Sequence, residues 1–203
     1  MPTRADLRTL LRRRLEDTTA TPLWDDAALN DLLVDAVRQY GIRFPAEETM
    51  QLPVTDGAAS IAVDPEILVH DIVAVRDGLG RNLPQMRSAP EPWTTSVQSW
   101  RWWNGALILS SPALGGTWEI DYFARRELAG NDVDTVHIRA GDEEIVILMA
   151  ASGALLRRAV ELSKRGVETG GLTLTRVAER HARDADDLMR ARRRRATGGW
   201  LRS

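Results

Sequence analysis

The chain has 203 residues, which is enough for one domain or two small ones with a substantial buried core. Because 43% of the residues are hydrophobic and 28% are charged, the composition is that of a globular protein and excludes extensive disorder. The net charge of −2 argues against a protein that coats nucleic acid, and the absence of cysteine excludes disulfides and thiolate metal sites. The charged N-terminus is not typical of a signal peptide, and no apolar run predicts a membrane span.

Two helices are predicted in the first 47 residues. Thr3 can cap the first helix, and Asp6 three residues later completes a capping box. The second helix is expected to begin at Asp25 or Asp26, because both are good N-cap residues. It is expected to end at Gly41, where a left-handed residue would close the helix. A short link between two such helices predicts an antiparallel pair.

The segment 48–137 has the pattern of antiparallel strands and turns. Short apolar runs with β-branched residues alternate there with Gly, Pro, Asn and Asp. Asn104-Gly105 predicts a tight hairpin turn, and Gly115-Gly116 is expected to turn the next strand pair. The proline-containing segment 81–99 is predicted to be a loop.

Two further helices are predicted at the C-terminal end. Asp142 opens a strongly apolar helix that Gly166 is expected to stop, and a last helix is expected from Thr173 or Thr175 to about Arg195. The remaining residues 196–203 are expected to be flexible. The prediction is therefore an α+β fold. Residues 1–47 and 138–203 form a helical bundle with a flexible C-terminal docking tail, and residues 48–137 form an inserted antiparallel β-rich module.

No catalytic signature is present in the sequence. Metalloprotease, P-loop, nucleophile-elbow and dinucleotide-binding motifs are all missing, and the three histidines lie far apart. We therefore expect neither an enzyme nor a cofactor. The acidic turn around Asp132 and Asp134 could bind a hard cation, but it lacks the spacing of a known calcium loop and also fits a solvated turn.

Tryptophan is unusually frequent, with seven copies against two Phe and two Tyr. Packing in the core of the β module accounts for some of the tryptophans in the middle of the chain, and a sugar-binding platform is an alternative. A module of this size cannot easily bury all of them, so some are expected to contact a neighbouring subunit. The predicted inter-subunit contacts are Trp93, Trp100, Trp102 and Trp103.

The C-terminus is basic, because no acidic residue follows Asp187. Three interpretations remain open: a solvated helix end, a tail that docks on a protein partner, and a phosphate-binding segment. The predicted docking residues are Arg190, Arg192, Arg193, Arg194, Arg195, Trp200 and Leu201.

Several packing motifs resemble those of head–tail adaptor (connector, head-completion) proteins of tailed bacteriophages. The opening helix, the turn and the second helix match at Trp24, Asp25, Leu29, Ala36 and Tyr40. The β segment is similar to the family's strand pair at Leu107, Leu109, Pro112, Gly116 and Tyr122. The alanine-rich helix at 142–165 resembles the family's central helix.

This resemblance implies a structural virion protein at the neck, assembled in the host cytoplasm into a ring, expected to be dodecameric. Its partners would be the portal protein, onto which adaptor C-termini commonly dock, and tail or stopper proteins. Genome DNA would pass through the lumen without sequence-specific binding. The alternatives are a tail-completion or neck protein at the next interface, and a small DNA-binding protein that uses the basic C-terminus.

Overall fold

The computed structural model describes residues 1–64, 67, 71–86 and 98–199, with only the backbone described for 193–199. It has the α+β fold predicted from the sequence, a helical bundle built from both ends of the chain and an inserted antiparallel β module. The helical unit comprises residues 1–45 and 125–203, and the β unit comprises residues 46–124. No helix of the described part of the chain is long and apolar enough to cross a membrane.

The described residues of the helical unit form four helices: α1 (Arg4–Arg14), α2 (Asp26–Arg43), α3 (Glu143–Lys164) and α4 (Glu168–Gly199). The capping box at Thr3 and Asp6 is present as predicted, and Asp25 caps α2 through the amide of Ala28. The apolar first half of α3 is buried against α1 and α2. The main buried residues of these three helices are Leu7, Leu11, Leu29, Leu33, Tyr40, Ile145, Val146, Leu148, Ala151 and Ala154.

The helix ends follow the sequence only in part. Gly166 is left-handed with a φ of 77° and stops α3 as predicted. Gly41 instead lies inside α2, and the prediction that it ends the helix was wrong. Its glycine identity serves close packing, since a Cβ there would lie 3.1 Å from the Cβ of Arg126.

The last helix is longer than predicted at both ends. α4 begins at Glu168, five residues before Thr173. Gly171 allows this first part of the helix to pack closely against α3. A Cβ at Gly171 would lie 2.8 Å from Ser163 Oγ. The helical backbone of α4 continues through Gly199, past the predicted end at about Arg195. The flexibility expected for residues 196–203 stays a prediction, and residues 200–203 lie outside the described residues.

In the described part of the β unit, six strands make two antiparallel sheets. They are β1 (Ala46–Val54), β2 (Ser60–Ala62), β3 (Ile72–Arg76), β4 (Trp100–Trp103), β5 (Ala106–Leu109) and β6 (Gly116–Ala124). The strand orders are β1-β6-β3 and β2-β5-β4. Alternate residues of both sheets meet in one core, so the sheets pack face to face as a small sandwich.

The predicted turns have different outcomes. Asn104 and Gly105 are both left-handed, with φ values of 49° and 76°, and join β4 to β5 as predicted. Gly115-Gly116 does not turn a strand pair, because β5 and β6 belong to different sheets. A Cβ at Gly115 would lie 2.9 Å from the backbone nitrogen of Asp56, so close approach explains this glycine. Residues 81–86 and 98–99 form no strand, as predicted, and 87–97 lie outside the described residues.

The segment 125–137 belongs to the helical unit, whereas the sequence placed it in the β module. Arg126 explains the difference. Its guanidinium donates hydrogen bonds to the backbone carbonyls of Phe44, Pro45 and His137 and lies 5.7 Å from the ring centroid of Tyr40. One side chain therefore fastens the chain segments on both sides of the insertion.

We expect Arg126→Met to lower the free energy of unfolding by roughly 2–4 kcal/mol, because three carbonyl groups lose a charged donor. Arg125→Met is the matched control, since Arg125 is exposed, and should change stability by less than about 0.5 kcal/mol. Urea unfolding of the full chain measures both values. Equal effects of the two substitutions would contradict the role of Arg126.

Candidate partner-docking site

The basic end of α4 is the candidate docking site, and its first member is Arg190. This side chain is 63% exposed and pairs with Asp186 and Asp187 on its own helix. Such exposed pairs within a helix contribute little to stability. The guanidinium of Arg190 can therefore leave these carboxylates for one on a partner with little loss of stability.

Arg192 lies in a different environment. Its Nε donates to Asp142 Oδ1 at 3.1 Å, and a terminal nitrogen donates to the carbonyl of Ala140 at 3.0 Å. Asp142 is only 2% exposed, and its second oxygen accepts a hydrogen bond of 2.7 Å from the Tyr40 hydroxyl. Because its donors are used inside the helical unit, Arg192 anchors α4 rather than reaching out as predicted.

Asp142 occupies the N-cap position of α3, as the sequence indicated, but it does not cap the helix. Its side chain makes no cap hydrogen bond, and its backbone has a φ of −102° and a ψ of 2°. Thr3 and Asp25, which do cap, have ψ values of 168° and 166°. The Asp142 carboxylate is instead turned inward. Burial raises the pKa of Tyr40, and the hydrogen bond to Asp142 raises it further.

The remaining predicted docking residues are described by their backbone alone or lie outside the described residues. The backbone of Arg193, Arg194 and Arg195 continues the helix, and their side chains lie outside the described part of the chain. Trp200 and Leu201 also lie outside it. The helical backbone alone places the three arginines beyond the anchor at Arg192.

The predicted tryptophan contacts divide into core and surface residues. Trp100 is 3% exposed and donates from Nε1 to the carbonyl of Leu83, and Trp102 packs partly against the same core. Both point to the inner face of their sheet. Trp100 is a core residue, whereas Trp102 is only partly buried and its assignment to an inter-subunit contact stays a prediction. Trp103 is 65% exposed, and Trp93 lies outside the described residues.

Arg101 was missed by the sequence reasoning. Its guanidinium lies 5.7 Å from the ring centroid of Trp103, a cation–π distance. Its Nε is buried and has no hydrogen-bond partner. Because Nε is enclosed by the chain itself, an acceptor from outside can approach only the terminal nitrogens of this guanidinium. The strand alternation in Trp100–Trp103 was the available signal, since it places Arg101 and Trp103 on one face.

The acidic turn is neutralised from within the chain. Asp132 accepts hydrogen bonds from Arg8 and Arg4, with closest distances of 2.7 Å and 2.8 Å. The hydrogen bond from Arg8, followed by that from Arg4, lowers the pKa of Asp132 to about 2. The two guanidinium groups supply the positive charge that a cation bound at this turn would otherwise provide. Among the described residues no group of three His, Asp or Glu side chains could hold a metal ion.

Neither a protein-family model nor a curated protein matches this sequence.

Arg192→Met should lower the free energy of unfolding by about 2 kcal/mol, because it leaves the buried Asp142 without its cationic partner. Arg190→Met, two residues away on the same helix, should change stability by less than about 0.5 kcal/mol. Thermal or urea unfolding of both variants measures the difference. An Arg192→Met chain as stable as Arg190→Met would show that the ion pair contributes nothing.

Asp132→Asn should reveal a pH-dependent contribution to stability. A carboxylate whose pKa is lowered in the folded state stabilises the protein above its unfolded pKa of about 3.9, and this contribution is lost as the pH falls. The difference in urea midpoint between the natural chain and Asp132→Asn should therefore be constant from pH 7 to about pH 5 and shrink between about pH 4 and pH 2. A difference that persists unchanged to the acid limit would contradict the Arg8 and Arg4 contacts.

Proposed function

We propose that this protein is a head–tail adaptor of a tailed bacteriophage, a structural subunit of a ring that joins the portal to the tail. The order of elements supports the proposal: two N-terminal helices, a β insertion, a long buried helix and a terminal helix. The motif residues Leu29, Ala36 and Tyr40 lie on α2, and the alanine-rich motif lies on α3. The strand-pair motif is not reproduced as a pair, because β5 and β6 belong to different sheets. The protein would act by binding alone.

The observation that carries the proposal is the end of α4. Among the side chains of the helix that the structure describes, Met189 is the last buried apolar residue, and the helical backbone continues to Gly199. Ten further helical residues extend about 15 Å. Arg190, Arg193, Arg194 and Arg195 lie on this extension, and the sequence after Asp187 contains no acidic residue. A cationic helical end of this kind suits an acidic protein surface, because arginine binds carboxylates with two parallel hydrogen bonds.

Anchoring by Arg192 favours docking energetically. Fixing the backbone of a flexible residue costs roughly 1–2 kcal/mol, so a disordered arm of ten residues would lose much of its binding energy. A helix that is already formed and tied to Asp142 loses less on binding. In a ring, neighbouring arms would also act at high effective concentration once one arm is bound. The proposal therefore expects cooperative addition of subunits to the portal.

The test compares the full chain with a chain that ends at Arg192, each mixed with the portal protein of the same genome. Ending at Arg192 keeps the anchor and Arg190 and removes residues 193–203. We expect the full chain to co-sediment with the portal and to add a ring visible by negative-stain microscopy. The shortened chain should bind at least tenfold more weakly.

A full-length chain with glutamine at positions 193, 194 and 195 is the matched control for charge, and it should also bind more weakly. Equal portal binding by the full and shortened chains would remove the docking role of the extension. Binding by neither chain would reject the portal as partner, and a tail or neck protein would be tested next. DNA binding with a log–log salt slope near −0.9 per phosphate contact would favour the DNA-binding alternative.

A further inference from the structure

The β unit has two outer sheet faces of opposite character. The inner faces of its two sheets share one core, so their outer faces point to opposite sides of the unit. Cross-strand register assigns each residue to a face, because directly paired residues project to the same side. The two outer faces can therefore be compared residue by residue.

The first outer face belongs to the sheet β2-β5-β4, and we call it the aromatic face. Its members by register are Ser60, Ala62, Arg101, Trp103, Ala106 and Ile108. Trp103 stands beside two alanines, which leaves its ring exposed. Arg101 is the charged residue of this face, and its buried Nε has no acceptor. The left-handed turn at Asn104 and Gly105 fixes the hairpin that carries both side chains.

The second outer face belongs to the sheet β1-β6-β3, and we call it the acidic face. Its members by register include Glu47, Thr49, Gln51, Ala74, Arg76, Glu119, Asp121 and Phe123. This face carries three carboxylates and one arginine, so its net charge is negative. Phe123 is 37% exposed and adds an apolar contact. Arg76 bridges Glu119 and Asp121, and Thr49 donates to Asp121, so the acidic groups are held in place.

We propose that the aromatic face of one copy docks on the acidic face of a second copy. Trp103 would pack on Phe123, and the terminal nitrogens of the Arg101 guanidinium would pair with a carboxylate of the acidic face. Tryptophan and arginine are the residues most enriched at the energetic centres of interfaces. Charge complementarity favours contact between unlike faces, because two acidic faces repel each other.

The arrangement is head to tail, since each copy contributes a different face. A head-to-tail contact repeats from copy to copy, and it produces a closed ring when the rotation closes. The inference deepens the proposed function by identifying the contact between ring subunits. It rests on that function only for the expectation that the repeat closes.

The contact between two copies is small. Three strands at about 4.8 Å spacing and about 3.3 Å per residue give a face of a few hundred Å². Stable pairs bury about 800 Å² on each partner. We therefore expect weak association of free subunits, with a Kd on the order of 0.1–1 mM. Closure of a ring, or binding to the portal, would stabilise the contact.

The test uses the absence of cysteine from the natural sequence. Ala62→Cys marks the aromatic face and Gln51→Cys marks the acidic face, and both positions are exposed. The two full-length variants are mixed at about 0.5 mM under mild oxidation, close to the expected Kd. Mixed disulfide dimers should form about tenfold faster than in a mixture of Ala62→Cys with Ala182→Cys, an exposed position on the helical unit.

Trp103→Ser in the Ala62→Cys chain should reduce mixed-dimer formation about tenfold, which corresponds to about 1.4 kcal/mol of binding energy. Val133→Ser, at an apolar residue of the helical unit that is 80% exposed, should leave it unchanged. Self-linking of Ala62→Cys as fast as the mixed reaction would overturn the head-to-tail contact, and so would no preference over Ala182→Cys. The assay contains no portal protein, so failed portal binding with preferred cross-linking would reject the proposed function and keep this inference.

Discussion

The carboxylate of Asp142 is the point on which the helical unit depends. It is buried at the start of α3, and it binds Tyr40 of α2 and Arg192 of α4 at the same time. A buried carboxylate is stable only when donors satisfy it, so these two side chains must stay where they are. Three helices are thereby held in register at one end of the bundle.

This constraint determines where the body of the helical unit ends. α4 is packed through Met189 and tied at Arg192, and the backbone beyond the tie is still helical. The arginines at positions 193–195 therefore follow directly on a residue that is tied to the body of the helical unit. Arg126 has the corresponding role at the β insertion. It donates hydrogen bonds to backbone carbonyls in the segment before the insertion and in the segment after it. Both anchors are arginines whose donors are used within the unit.

Local signals in the sequence predicted much of the fold. The capping box of Thr3 and Asp6, the turn at Asn104-Gly105 and the stop at Gly166 depend on neighbouring residues only, and all three are confirmed. Gly41, Gly115 and Gly171 were misread or missed because their partners are Arg126, Asp56 and Ser163, which are distant or on another element. The sequence alone does not distinguish a glycine that allows another chain segment to approach closely from a glycine that forms a turn.

The candidate site was predictable to a smaller extent. The excess of arginine after Asp187 was visible in the sequence, but the internal use of Arg192 depends on Asp142, fifty residues earlier. The period of two along Trp100–Trp103 places Trp100 and Trp102 on one face and Trp103 on the other, but which face is buried depends on tertiary packing. The unpaired Nε of Arg101 could not be foreseen, because burial of a single atom depends on tertiary packing.

Hydrogen–deuterium exchange of the full chain, free and bound to the portal, tests whether Arg192 anchors a docking helix. Peptides around residues 186–192 should already be protected in the free chain, because Arg192 holds them. Binding should add protection to peptides that cover residues 193–203. Exchange at 186–192 as fast as in an unfolded peptide, or new protection confined to α1 and α2, would contradict an anchored docking helix.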